Sequence, residues 1–217
     1  MKSSEIFLKS LQIRDELKKN NDFSDNPIDD SLLPVLPFRI SNKIKLIIIG
    51  QDPTVKLPES RKSIEYTLNL DKNGSLKNYI FQICNALEID FKHIYATNIF
   101  KYFYTIPPER ILSVLENHFE KNLELLIEEL SNYPKVPIIT LGLPVLQLLV
   151  DTNAQVNYYW NHKGITRKSG GVFNYCEAKD NKLNRDFFPF PHQPSYSGKV
   201  FYKNTFIDYL NFMKSNI

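Results

Sequence analysis

The sequence predicts an α/β chain, a three-layer α/β/α sandwich around a central, mainly parallel four-stranded sheet. Three observations carry that expectation. Short β-branched and aromatic runs alternate with longer segments whose apolar residues recur every three or four positions, the pattern of strands joined by crossover helices. The run Leu46-Ile47-Ile48-Ile49 is apolar without interruption, which suits a strand covered on both faces. Three runs are followed closely by a polar residue, at Asp52, Asn98 and His192, and the carboxyl ends of parallel strands are where open sheets bind ligands.

The elements follow in order. Met1 to Asn21 alternates charged and apolar residues at helical spacing and has no continuous apolar h-region, so it reads as an amphipathic helix and not as a secretory leader. Asp25 to Phe38 is punctuated by proline and reads as a loop packed on the core. Lys45 to Gly50 is the first strand. Asn73-Gly74 then turns the chain into a helix with Leu76, Ile80, Ile83 and Leu87 along one face. His93 to Thr97 is the second strand and runs into Asn98. Pro107-Pro108 opens the longest helix, about Glu109 to Leu130, with Ile111, Leu112, Leu115, Phe119, Leu123, Leu126 and Leu130 on its apolar stripe. Lys135 to Leu141 is the third strand and Pro144 to Val150 a short helix. Asp151 to Asn184 is polar and aromatic, an insertion in which Ser169-Gly170-Gly171 suggests a hairpin or structured loop. Arg185 to Phe190 is the last strand, and Tyr202 to Lys214 the closing helix. No segment reads as a linker, so residues 1–217 form one domain, with 1–40 an amino-terminal helix and loop and 151–184 an insertion.

Composition bounds the function. With 217 residues and 42% apolar content the chain can build a large core, and its net charge of +3 permits a polyanionic partner without requiring one. Two cysteines, Cys84 and Cys176, make neither a disulfide framework nor a four-thiolate metal centre, which fits a reducing cytoplasm. No apolar run is long enough to span a bilayer. The Gly-x-Gly-x-x-Gly and Gly-x-x-x-x-Gly-Lys-Ser/Thr phosphate loops are both absent, which leaves an unrelated nucleotide-handling domain as the weakest reading.

Taken singly, Asp52, Asn98 and His192 are as well explained by an ordinary turn, a loop cap and a surface histidine. Taken together they carry a resemblance. Gly50-Gln51-Asp52-Pro53 after an apolar strand, then Ala96-Thr97-Asn98, then His192-Gln193-Pro194-Ser195, resembles the uracil-DNA glycosylase superfamily in order and spacing over roughly residues 40 to 217. The resemblance implies a hydrolase that flips a damaged base out of DNA and cuts its N-glycosidic bond, acting as a monomer with no metal or cofactor. It implies Asp52 as the carboxylate that stabilises the cationic sugar and orients or deprotonates water, and His192 as a hydrogen-bond donor to the departing base. It implies Asn98 as the reader of the uracil edge, since one carboxamide can donate to O4 and accept from N3–H. Gln51 and Thr54 would line the base pocket, with Tyr66 or Phe100 as its aromatic wall. Ser195, Ser197 and Lys199 would hold phosphates, and Tyr196 would fill the vacated stack. Lys43, Lys45, Lys56, Arg61, Lys62, Lys101, Arg167 and Lys168 are further candidates for a basic groove.

Two departures qualify the substrate. Where the best-known members have Tyr-His after Gly-Gln-Asp-Pro, this chain has Thr54-Val55, which removes the side chain that excludes a 5-methyl group and a group that holds water. His-Pro-Ser has become His192-Gln193-Pro194-Ser195. A second expectation therefore stands beside the enzyme: a protein of the same fold that binds DNA, a base or a nucleotide without turnover.

Overall fold

The computed structural model describes residues 2–19, 27–55, 57–106, 112–161 and 172–217. Pro107 to Ile111, the Ser169-Gly170-Gly171 turn, Lys56, Arg167 and Lys168 lie outside the described residues. In chain order the elements are α1 (Ser3–Lys19), β1 (Ile28–Asp29), β2 (Phe38–Arg39), β3 (Leu46–Gly50), α2 (Pro58–Arg61), α3 (Ser75–Ala86), β4 (Ile94–Asn98), β5 (Phe103–Tyr104), α4 (Leu112–Leu130), β6 (Ile138–Leu141), α5 (Leu143–Leu149), α6 (Val156–Tyr159), β7 (Phe188–Phe190), α7 (Gln193–Gly198) and α8 (Val200–Lys214).

Among the described residues the main sheet has five strands in the order β2-β4-β3-β6-β7. Four are parallel, and the fifth, β2, pairs antiparallel with β4 through Phe38 opposite Ala96 and Arg39 opposite Tyr95. The expectation of four strands is thus corrected to five. β2 escapes a reading by periodicity because two residues between Pro37 and Ile40 have no period to show. β1 and β5 form a separate antiparallel pair; β1 falls within the segment read as loop, and β5 in a stretch with no element assigned to it.

Strand β3 lies at the centre, and all five of its residues are buried, as its unbroken apolar run requires. The chain leaves β3 through α3 to β4 on one side, then passes through α4 to β6 on the other side of β3. Right-handed crossovers running in opposite directions carry α3 and α4 to opposite faces. α3 packs against α7 and α8, whereas α4 packs against α1. The direction of winding therefore reverses at β3, and a crevice opens between the carboxyl ends of β3 and β6.

The insertion has a structural task. Its Trp160 is fully buried, donates its indole N–H to the Pro189 carbonyl at 2.7 Å, and stacks on Tyr209 at 4.4 Å. A single bridge between Cys176 and Phe187 ties the later part of the insertion to the chain entering β7. Together these contacts cover the outer edge of the sheet, where a free strand would offer unpaired backbone.

Helix α4 hides a polar seam on its buried face. Leu115, Phe119, Leu126 and Leu130 are buried as expected, but His118, Asn122 and Glu129 occupy the same face and are buried too. Each meets a residue of the chain just past β4. His118 Nδ1 shares a hydrogen bond with the Tyr104 hydroxyl at 3.2 Å, Asn122 donates to the Tyr102 hydroxyl at 3.0 Å, and Glu129 pairs with Lys101 at 2.8 Å. Burial pushes the His118 imidazole down to about 4, from an ordinary value near 6.5. The unfolded chain takes up that proton first as pH falls, so this contribution to stability is complete above about pH 6.5 and is lost towards pH 4, by up to about 3 kcal/mol. Urea unfolding at pH 7 and pH 4.5 should show that loss, and His118→Gln should remove its share of the slope.

Candidate active site

The site begins with the way β3 ends. Gly50 pairs with Asn98 across β3 and β4, and the ladder continues one step further, Ile99 N–H donating to the Gly50 carbonyl at 3.0 Å and Phe100 N–H to the Gln51 carbonyl at 2.9 Å. Only after that does the chain turn, so Asp52 is the first residue free of the sheet. Its Oδ1 accepts the Thr54 N–H at 2.7 Å, an Asx turn that Pro53 favours. The Thr54 hydroxyl in turn accepts the Tyr104 N–H at 2.9 Å. The buried Arg61 holds the next residues, donating to the carbonyls of Val55 at 3.1 Å and Tyr104 at 2.9 Å.

On the other side of the crevice Gly142 ends β6 with φ +95°, a conformation that favours glycine, and its N–H donates to the Phe190 carbonyl at 2.8 Å. A side chain there would press within 3.4 Å of the His192 Cβ. His192 follows β7 and Pro191, and its carbonyl accepts the Tyr196 N–H at 3.0 Å as α7 begins. The imidazole is accessible at the mouth of the crevice, yet the atoms crowded around it weaken its hydration and lower its pKa from the ordinary histidine value.

Asp52 and His192 thereby line one cavity of about 250 Å³, together with Gly50, Gln51, Thr54, Leu68, Leu141, Gly142 and Pro144. The cavity stands in the crevice between β3 and β6. A wider cleft of about 540 Å³ lies outside it and shares Asp52, Thr54, Leu68 and His192. Lys72, Lys77 and the start of α3 at Gly74 and Ser75 form its far wall, and no side chain caps the first amides of that helix. The open start of α3 thus faces the outer cleft, while the Lys72 ammonium donates to the Ser63 carbonyl and the Lys77 ammonium lies 5.7 Å over the Phe91 ring.

Asn98 sits behind the inner cavity. It is fully buried, and neither atom of its carboxamide has a hydrogen-bond partner among the described residues. The Nε2 atom of Gln51 is buried without a partner in the same sense. Buried amides are nearly always satisfied, so a pair of unsatisfied ones beside a cavity calls for a ligand or water. Gly50 is needed here for space: a Cβ would overlap the Asn98 Oδ1 and come within 2.8 Å of a Leu68 methyl carbon. Gly50→Ala should therefore cost about 1–3 kcal/mol in thermal or urea unfolding, the range for overpacking a tight core.

Other candidates are placed elsewhere. Tyr66 does not line either cavity; its ring stands edge-on to Phe38 at 6.4 Å. Phe100 is fully buried and packs edge-on to Tyr104 at 5.9 Å, so it is core. The side chain that reaches the cavity is Leu68, two residues past Tyr66. Alternation along the chain offers no sign of this, because Leu68 and Asn69 both take left-handed backbone, φ 58° and 54°, which redirects the side chains. Tyr196 stacks on Tyr79 at 4.6 Å and turns its hydroxyl to Gln82, so it points into the protein and not outward as a wedge. Ser195, Ser197 and Lys199 are exposed on and just after α7. Among the basic candidates, Arg61 and Lys101 are buried in structural bonds, and Lys43 and Lys45 precede β3 at the opposite end of the sheet. Lys62 is exposed, while Lys72 and Lys77 are the cations that line the cleft.

No group of three or more His, Cys, Asp or Glu side chains that could hold a metal occurs among the described residues, and no helix among them is long and apolar enough to cross a membrane. No protein-family model matches the chain, and no curated protein matches it.

Proposed function

We propose that this chain is a DNA glycosylase of the uracil-DNA glycosylase type, a single three-layer α/β/α domain that acts as a monomer in the cytoplasm and hydrolyses the N-glycosidic bond of uracil or a related modified pyrimidine. The observation that carries the reading is that Asp52 and His192, 140 residues apart in the chain, line the same cavity at the crevice where the sheet changes winding. A flipped pyrimidine would enter with its Watson–Crick edge towards Asn98, whose unpaired donor and acceptor match O4 and N3–H of uracil and mismatch cytosine. As the bond between base and sugar breaks, the Asp52 carboxylate faces the developing cation and takes a proton from the water that adds to the sugar carbon. The electron pair of the broken bond leaves with the base, and His192 donates a hydrogen bond to the resulting anion. The products are the free base and an abasic sugar.

The Thr54 hydroxyl is held by Tyr104, and Thr54 is too small to close the cavity where a pyrimidine carries its 5-substituent. Substituted uracils therefore belong to the proposed substrate class. The DNA strand would follow the outer cleft, past Lys72 and Lys77, with Ser195, Ser197 and Lys199 beyond. The test is release of free base from oligonucleotides carrying uracil, 5-hydroxymethyluracil or thymine mispaired with guanine, single- and double-stranded. No release above an Asp52→Asn control would overturn the enzyme. Binding without turnover is the second reading, and one observation favours it: Asn98 does not line the cavity, and a Leu68 methyl carbon packs beside it at Gly50. Salt-dependent affinity for modified DNA with no base release would select it.

A further inference from the structure

The side chain of Leu68 has no part in the chemistry proposed above. Leu68 lines both the inner cavity and the outer cleft, and of the four side chains they share, the others being Asp52, Thr54 and His192, it is the apolar one. Its methyl carbon and the Asn98 Oδ1 converge on one point, the place a side chain on Gly50 would occupy. Asn98 itself reaches neither cavity, although it is fully buried and its amide has no partner among the described residues. A polar group in that position is costly unless something arrives to bond it. Leucine in left-handed backbone is also rare, and here it is followed by a second left-handed residue, Asn69. The conformation aims an apolar side chain at an unpaired amide.

We infer that Leu68 is a displaceable plug over the Asn98 amide, and that the base to be read gains access by pushing it aside. The inference rests on the glycosylase reading and deepens it, because Leu68 then sets the cost of reaching Asn98. That cost is common to every base, so the plug lowers affinity and slows entry for all of them, and only a base that bonds Asn98 offsets it. Leu68 belongs to the 3₁₀ turn Thr67–Asn69, which packs on β4 and is tied to the Leu36 carbonyl through the Thr67 N–H, so the plug moves by rotation of its side chain and not of the backbone.

The test compares wild type, Leu68→Ala and Leu68→Gly. Glycine suits the left-handed backbone at this position, so the second variant keeps the turn while removing the plug. One readout is affinity for a single strand carrying an uncleavable carbon-linked uracil nucleoside, relative to the same strand with cytosine; the other is base release in a single turnover. Both variants should bind the uracil analogue at least about tenfold more tightly than wild type, the scale of a side-chain-sized change in a pocket. Adding Asn98→Ala should erase the gain. Wild-type excision that neither variant alters in rate or affinity by more than about twofold would overturn the plug and leave the glycosylase standing. Failure of all three proteins to discriminate the uracil analogue from cytosine, and to release any base, would overturn both.

Discussion

Asp52→Asn is expected to lower base excision by about 10²–10⁴-fold, the span typical of removing a positioned general base. The substitution isolates charge from structure. Asp52 Oδ1 accepts the Thr54 N–H at 2.7 Å, and an asparagine carbonyl oxygen can accept the same bond. The turn after β3 is therefore kept, and unfolding stability should stay within about 1 kcal/mol of wild type. Single-turnover excision with enzyme in excess, alongside urea unfolding of both proteins, checks the two halves. Equal loss of stability and rate would assign Asp52 to the turn alone.

Lys101→Met is expected to have the largest effect on stability, about 3–5 kcal/mol, the cost of stranding one partner of a buried ion pair. Lys101 and Glu129 are both fully buried, with 2.8 Å between Nζ and Oε2. The same ammonium donates to the Asn98 carbonyl at 2.8 Å, and the second Glu129 oxygen accepts the Tyr95 hydroxyl at 2.5 Å. Burial, with the Glu129 charge adding to it, raises the Tyr95 pKa well above the usual phenol range, so the hydroxyl remains a donor. The double variant Lys101→Met with Glu129→Leu should recover much of the loss, because no lone charge is then left inside. Chemical denaturation of the single and double variants measures this directly. Since Lys101 also holds the backbone of Asn98, the double variant should remain folded while discriminating uracil from cytosine less sharply.

Much of the architecture could be read along the chain. β3 and β4 announce themselves by β-branched content, α3 by its apolar period, and the longest helix by a stripe that runs to Leu130. Elements of two residues could not be read, because β1, β2 and β5 owe their pairing to partners far away and not to any local pattern. Polar residues within apolar stripes misled in the same way. His118, Asn122 and Glu129 fall on the inward side of α4 by spacing alone, but their burial depends on Tyr104, Tyr102 and Lys101 arriving opposite them. Lys101 reads in sequence as a surface cation near a strand end, and the fold turns it into an interior one.

The candidate site divides similarly. Gly50-Gln51-Asp52-Pro53, Asn98 and His192 are each legible, because strand ends are set by short-range chemistry: a glycine for close approach, a proline that ends pairing, a polar residue where backbone bonds run out. Local residue patterns suffice to show that three such ends exist and which functional groups they carry. That Asp52 and His192 share one cavity while Asn98 lies behind it depends on the folded chain, since strand order follows from crossovers that no local window contains. The fold also decides that Leu68 and not Tyr66 faces the cavity, because two left-handed residues override alternation, and such strain is held in place by the packing around it rather than by the residues themselves.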